Sequence, residues 1–177
     1  MELKGELCTV RTWRTADAAS LVRHANNENV ARHLRDRFPY PYSTSDARRF
    51  IEAVSQSHPA TNFAIDLGGE AAGGIGFSPG SDVERYSAEI GYWLGEAFWG
   101  RGITAEALRL TSRYAFDICR MLRLFALPFA DNARSIRVLE KAGYVREGVM
   151  RCSSVKHGSP RDQALYALVN QRWTYKG

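Results

Sequence analysis

The residues with the clearest chemistry lie between Ser87 and Ala105. A run of strand character, Ser-Ala-Glu-Ile-Gly-Tyr-Trp-Leu (87–94), leads into Trp99-Gly100-Arg101-Gly102-Ile103-Thr104. A helical pattern follows from Ala105 to about Cys119. The first N–H groups of a helix lack intrahelical partners, and the helix dipole favours negative charge there. Gly100 and Gly102 keep side chains out of the way, so the turn is in principle an anion site suited to phosphate. The same glycine pair also serves as a plain tight turn. The pattern GxxxxGK[ST] is absent. GxGxxG is met only in a loose form, through Gly100, Gly102 and Ala105, and no acid stands near Met121 to Phe125, where a dinucleotide site needs one.

Other residues narrow the chemistry further. Cys8, Cys119 and Cys152 form no CxxC pair, and His24, His33, His58 and His157 form no HxxH or HxxxH pair. No metal site and no disulfide framework are expected, and a reducing cytoplasm is the natural setting. Phe38-Pro39-Tyr40-Pro41-Tyr42 cannot be helix, because each proline restrains its predecessor and lacks a donor. Its aromatics line a pocket or fill a gap between helices.

These residues need a frame. Alternation marks strands at Leu7–Trp13, Asn62–Leu67, Ala71–Phe77, Ser87–Leu94 and Leu122–Phe129, with a final hairpin of Tyr144–Val155 and Asp162–Asn170. Gly91 inside its strand predicts a bulge or a close backbone approach. Helices are expected from Asp17 to Asn26, from Asp46 to Gln56, from Ala105 to Cys119, and from a cap at Asp131 or Asn132 to Ala142, where Gly143 stops the last. The fold class is α/β (α+β): a single domain over 1–177, with a mixed, mostly antiparallel sheet of about seven strands flanked by about four helices. The 177 residues are 45% hydrophobic and 24% charged, which excludes disorder as the main state. The net charge of +5 suits an anionic ligand without requiring one. No apolar run approaches a membrane span, and Met1–Val10 does not read as a signal peptide.

Two motifs in order, "WGRGIT…EAL" and "NARSIRVLEKAGY" (132–144), resemble the GNAT superfamily of acetyl-CoA-dependent N-acetyltransferases. With "EIGYWL" and the Trp before the glycine turn, the chain is similar to the RimJ/RimL-like branch, the ribosomal-protein N-terminal acetyltransferases. The resemblance runs from the first strand to the last hairpin. At the family's turn pattern, Q/R-x-x-G-x-G/A, this chain has Trp99, Gly102 and Thr104. Thr104 departs from the usual small residue, although its hydroxyl can itself donate to a phosphate.

The resemblance implies acetyl-CoA as cosubstrate, with no metal. Its pyrophosphate is expected on the backbone of Gly100, Arg101, Gly102, Ile103, Thr104 and Ala105, beside Trp99. The pantetheine is expected to add to Tyr92, Trp93 and Leu94 like an extra strand. An N–H near Tyr92 or Trp93 polarises the thioester and holds the tetrahedral oxyanion. Asn132 is expected to bond the pantetheine arm, and it serves equally as a helix cap. An α-amine with a pKa near 7.7–8.0 is about one-tenth neutral at pH 7, so modest help suffices to deprotonate it. Glu89 or a water chain is the candidate base. Many such enzymes carry a tyrosine acid where Leu139 stands here, so Ser135 becomes the candidate acid, or else a cap hydroxyl. Trp13, Phe38, Tyr40 and Tyr42 are the candidate acceptor site. The acceptor is a primary amine, either a protein N-terminus or a small molecule. The alternative is a non-catalytic acyl-CoA-binding or regulatory module, favoured by Thr104 and Leu139. A cytoplasmic monomer or homodimer, without membrane or direct nucleic-acid partners, completes the expectation.

Overall fold

A computed structural model describes residues 1–175. Eight strands join one sheet in the order β1-β2-β3-β4-β5-β6-β8-β7. They are β1 (Glu2–Lys4), β2 (Thr9–Arg11), β3 (Asn62–Leu67), β4 (Glu70–Pro79), β5 (Ser87–Leu94), β6 (Arg123–Ala126), β7 (Val145–Lys156) and β8 (Ser159–Val169). Five helices accompany them: α1 (Ala18–Ala25), α2 (Glu28–Ala31), α3 (Thr44–Ser55), α4 (Ile103–Asp117) and α5 (Ala133–Lys141). Every neighbouring pair is antiparallel except β5 and β6, which run parallel.

The sheet therefore has one strand and one helix more than the sequence predicts. β1 is three residues of mixed charge that pair with β2, too short for an alternation signal. α2 is a single turn, capped by the Asn27 side chain accepting from Val30 N–H at 3.2 Å. Gly91 is not at a bulge: it sits in regular register with Gly76, and a Cβ there meets nothing within 4 Å. The bulge in this region of the sheet falls between Ile65 and Asp66. α4 starts at Ile103, two residues earlier than its periodicity suggests, because Gly102 serves as its cap.

Two apolar clusters cover the two faces. Ile90, Leu108, Leu124 and Leu139 belong to the cluster under α4 and α5. Trp13, Leu21, Tyr42 and Ile51 belong to the cluster under α1 and α3. Side chains alternate along a strand, so β5 serves both clusters. Ala88, Ile90 and Leu94 face the first, with Tyr92 packed against it, and Trp93 packs against the second.

Two buried polar knots fix the frame. Arg11, 2% exposed, donates to Asp17 at 2.7 and 2.8 Å and to Asp66 at 2.7 Å, tying β2 to β3 and to the start of α1. Glu106, in the first turn of α4, accepts from the N–H groups of Glu6, Leu7 and Cys8 at 2.8–2.9 Å. That grip ties α4 to the β1–β2 connection. Burial opposes ionisation of Glu106, but the three N–H groups outweigh it and hold its carboxyl below the usual range. A depressed carboxyl contributes stability above the unfolded value of about 4, and that contribution is lost as pH falls through the folded value. Glu106→Gln is thus expected to cost about 1–3 kcal/mol at pH 7. The gap from the parent should narrow at pH 3, measured by urea unfolding. An equal gap at both pH values would show that ionisation of Glu106 contributes nothing.

Candidate active site

The site begins where two strands part. The β5–β6 ladder holds only Ser87↔Arg123, Ala88↔Leu124 and Glu89↔Phe125, while β5 runs on to Leu94. From Ile90 onward, β5 has β4 on one side and an open edge on the other. Gly80 N–H bonds to Ser87 C=O and Gly95 N–H bonds to Ala72 C=O, which sets the phase of the β4–β5 ladder. Odd-numbered residues of β5 therefore bond to β4, and the N–H and C=O of Ile90, Tyr92 and Leu94 point into the fork. Leu94 C=O accepts from the Trp99 indole N–H at 2.7 Å. Of the two candidate donors, Tyr92 N–H rather than Trp93 N–H faces the fork.

A cleft of about 1070 Å³ occupies this fork and extends on both sides of it. One wall is the turn into α4. Gly100 and Gly102 both have φ of +80°, a left-handed backbone that favours glycine. Arg101, Ile103, Thr104 and Ala105 also line the cleft. The first intrahelical bond is Glu106 N–H to Gly102 C=O at 3.1 Å, so the N–H groups of Ile103, Thr104 and Ala105 are left for a ligand. Arg134 lies over the Trp99 ring at 4.3 Å from its centroid, which brings the start of α5 close to this turn.

The facing wall is the first turn of α5. Asn132 Oδ1 accepts from Ser135 N–H at 3.2 Å, so Asn132 rather than Asp131 is the cap. Ser135 Oγ lies 2.9 Å from the Tyr92 hydroxyl, which also donates to Ser135 C=O at 3.2 Å. Burial pushes the Tyr92 phenol well above its ordinary value, although its bond to Ser135 opposes this. Leu139 is fully buried in the core. A hydroxyl still reaches α5 from across the fork, supplied by β5. Reading Tyr92 only through its backbone misses this. The alternation along β5, which turns Tyr92 towards the α5 side, is the signal that could have found it.

The other half of the cleft lies on the opposite face of the sheet. Glu89 lines it, paired to Arg35 from the segment between α2 and α3. Trp13, Phe38, Tyr42 and Trp93 line it too. Phe38 packs on Tyr42 and Trp93 with ring centroids 5.0 and 5.6 Å apart. A Cβ at Gly74 would stand 2.6 Å from the Trp93 indole nitrogen, so the glycine gives that ring its seat on β4. Tyr40 does not join this group: it is 52% exposed and lies outside the cleft. Its neighbouring prolines turn the segment so that Phe38 and Tyr42 point inward and Tyr40 outward.

The acetyltransferase (GNAT) domain family matches residues 8–145. The chain belongs to the GNAT family. This GNAT domain is 35% identical over 103 residues to the uncharacterized N-acetyltransferase YoaA of Bacillus subtilis (strain 168), an alignment spanning 58% of each chain. The chain therefore covers less than two thirds of that relative. It is 28% identical over 130 residues, 72% of each chain, to the ribosomal-protein-serine acetyltransferase of Escherichia coli (strain K12). A solved ribosomal L7/L12 α-N-protein acetyltransferase in complex with coenzyme A superposes with a TM-score of 0.84 at 21% identity, covering 96% of this chain and 98% of that one. The N-acetyltransferase relatives agree with the activity expected of the motifs, and the structural likeness agrees with the fold. Among the described residues no group of three or more His, Cys, Asp and Glu is placed to hold a metal ion. No helix there is long and apolar enough to cross a membrane.

The turn into α4 gives this subsection its test. In Gly100→Ala a side chain meets a φ of +80°, costing about 1–2 kcal/mol unless the turn relaxes. Relaxation misaligns the free N–H groups. Affinity for coenzyme A is expected to fall about tenfold by calorimetric titration. Unchanged affinity would remove the turn from the cofactor site.

Proposed function

We propose that this protein, one domain over 1–177, transfers the acetyl group of acetyl-CoA to a primary amine that enters the aromatic half of the cleft. The observation that carries this reading is the fork: an open edge of β5 ends at free helix N–H groups, with a carboxylate on one face of β5 and a hydroxyl pair on the other.

The residues suit such a ligand. N–H groups of Ile103, Thr104 and Ala105, with Gly100 and Gly102 open beside them, are fit to hold a pyrophosphate. Arg101, Arg134, Arg137 and Lys141 add positive charge to this half of the cleft. Ile90, Tyr92 and Leu94 offer strand-edge groups to the amides of an extended pantetheine arm. Acetyl-CoA supplies an activated thioester. Tyr92 N–H is the donor aimed into the fork, where it can stabilise charge developing on a carbonyl oxygen.

Glu89 accepts a proton from the incoming ammonium, directly or through water, once it is released from Arg35. Ser135 Oγ passes a proton to the departing sulfur as the C–S bond breaks and regains one, through water, from the nitrogen as it becomes an amide, while Tyr92 OH holds that hydroxyl in place. With a leaving thiol pKa near 8.5, the demand on this acid is modest. The fold and family are shared with ribosomal-protein acetyltransferases, which keeps a protein N-terminus among the acceptors to assay.

Two variants test the assignment. Ser135→Ala is expected to lower kcat about tenfold or more while leaving coenzyme A affinity within twofold, a loss within the range of general acid catalysis. Tyr92→Phe removes the partner hydroxyl and should produce a smaller loss of the same kind. Acetyl-CoA-dependent thiol release with a panel of peptides and small amines reads both. Unchanged kcat in Ser135→Ala takes Ser135 out of the chemistry. Tight binding of acetyl-CoA without turnover on any amine supports the non-catalytic alternative.

A further inference from the structure

We propose that the acceptor is a small amine carrying a carboxylate beside its amino group, as an α-amino acid does, and that Arg35 binds that carboxylate. This rests on the acetyltransfer reading above and adds the chemical class of the acceptor.

The starting point is an occupied base. Glu89 lines the cleft at the point where β6 leaves β5, and its carboxylate is already paired with the Arg35 guanidinium. Both side chains are partly exposed, at 35% for Glu89 and 53% for Arg35, so an incoming molecule can reach either.

Arg35 is held in that position from both sides. Its neighbour Asp36 bonds to Lys156 Nζ at 2.7 Å, and Lys156, at the end of β7, is 6% exposed. Three residues further on, Phe38 is fixed between Tyr42 and Trp93. Phe38 N–H also bonds to Arg35 C=O at 2.9 Å, closing a turn around the arginine. The segment is thus tied down at the hairpin and at the aromatic wall, with its guanidinium facing Glu89. Arg37 adds a second positive charge to the same lining.

The charges decide which acceptor fits. A simple amine reaching Glu89 as an ammonium must displace Arg35 and leave the guanidinium without its partner. The pair is half-exposed, so this loss is small, but a simple amine gains nothing from the guanidinium it frees. An amine with an adjacent carboxylate exchanges partners instead: ammonium to Glu89, carboxylate to Arg35. Both protein charges stay satisfied, and the arginine fork suits a carboxylate in bidentate geometry. The aromatic wall of Phe38, Tyr42 and Trp93 then receives an apolar side chain.

The test uses matched acid and amide acceptors. Thiol release from acetyl-CoA is measured with L-phenylalanine and L-phenylalaninamide, and with L-leucine and L-leucinamide, in the parent protein, Arg35→Gln and Arg35→Lys. The readout is the acid-to-amide ratio of kcat/KM within each protein. The different amine pKa values of acid and amide cancel when ratios are compared between proteins. Arg35→Gln is expected to lower the ratio about tenfold or more, and Arg35→Lys to restore part of it. An unchanged ratio overturns the proposal, including when both rates fall together as they would from a purely structural defect. Acetylation of phenethylamine with neither amino acid acetylated also overturns it, while leaving the acetyltransfer reading intact. Silence with every amine, with coenzyme A still bound, rejects the acetyltransfer reading and this proposal with it.

Discussion

The parting of β5 and β6 is the constraint on which the cleft depends. Parallel neighbours normally share a continuous ladder, and here that ladder stops after three residue pairs. β5 continues to Leu94 with one edge unpaired by any strand, in the middle of an otherwise continuous sheet. Unpaired strand groups are an invitation to another extended chain. On either side of the opening, the loose ends are tied: Trp99 to Leu94, Arg134 over Trp99, and Tyr92 to Ser135. The fork is held open at its rim, and no strand pairs along its edge.

Because side chains alternate along a strand, β5 can serve two ligands at once. Tyr92 projects towards α5 and the hydroxyl of Ser135, while Glu89 lines the cleft on the face that carries Trp93. The backbone between them faces the gap. In the proposed reaction amine and thioester meet at the edge of this one strand, with the carboxylate of Glu89 and the hydroxyls of Tyr92 and Ser135 on its opposite faces. Gly91 lies between Glu89 and Trp93 and contributes no side chain, and a Cβ there would meet open space. Its value lies in the room it leaves rather than in the bulge that its place in a strand suggests.

The frame around the fork is stiffened by charge that is buried and satisfied. Arg11 between Asp17 and Asp66, and Glu106 beneath three backbone N–H groups, bind the first strands to α1 and α4. The aromatic side of the cleft is held differently, by the half-exposed pair of Arg35 and Glu89 and by the tie from Asp36 to Lys156. Exposed pairs of this kind are individually weak. This side of the cleft, the proposed acceptor wall, is therefore the part best able to exchange one charge partner for another.

Much of this was legible in the residues. The alternation of 87–94, the glycines at 100 and 102, the Asn132 cap and the Gly143 stop are local signals, set by backbone sterics and by unsatisfied helix ends. They fixed β5, α4, α5 and the turn between them to within a few residues, and with them the family resemblance. Local signals could not reveal β1, whose three residues form a strand only because β2 lies beside them. Nor could they turn Tyr40 out of the cleft, bring the Tyr92 hydroxyl to Ser135, or set Arg35 against Glu89 across 54 positions of sequence. The sequence by itself determined the elements and the chemistry each can offer, because those depend on a residue and its near neighbours. Which groups meet was decided only by the tertiary structure, because partnership across a fork depends on strand register, phase and the packing of distant segments.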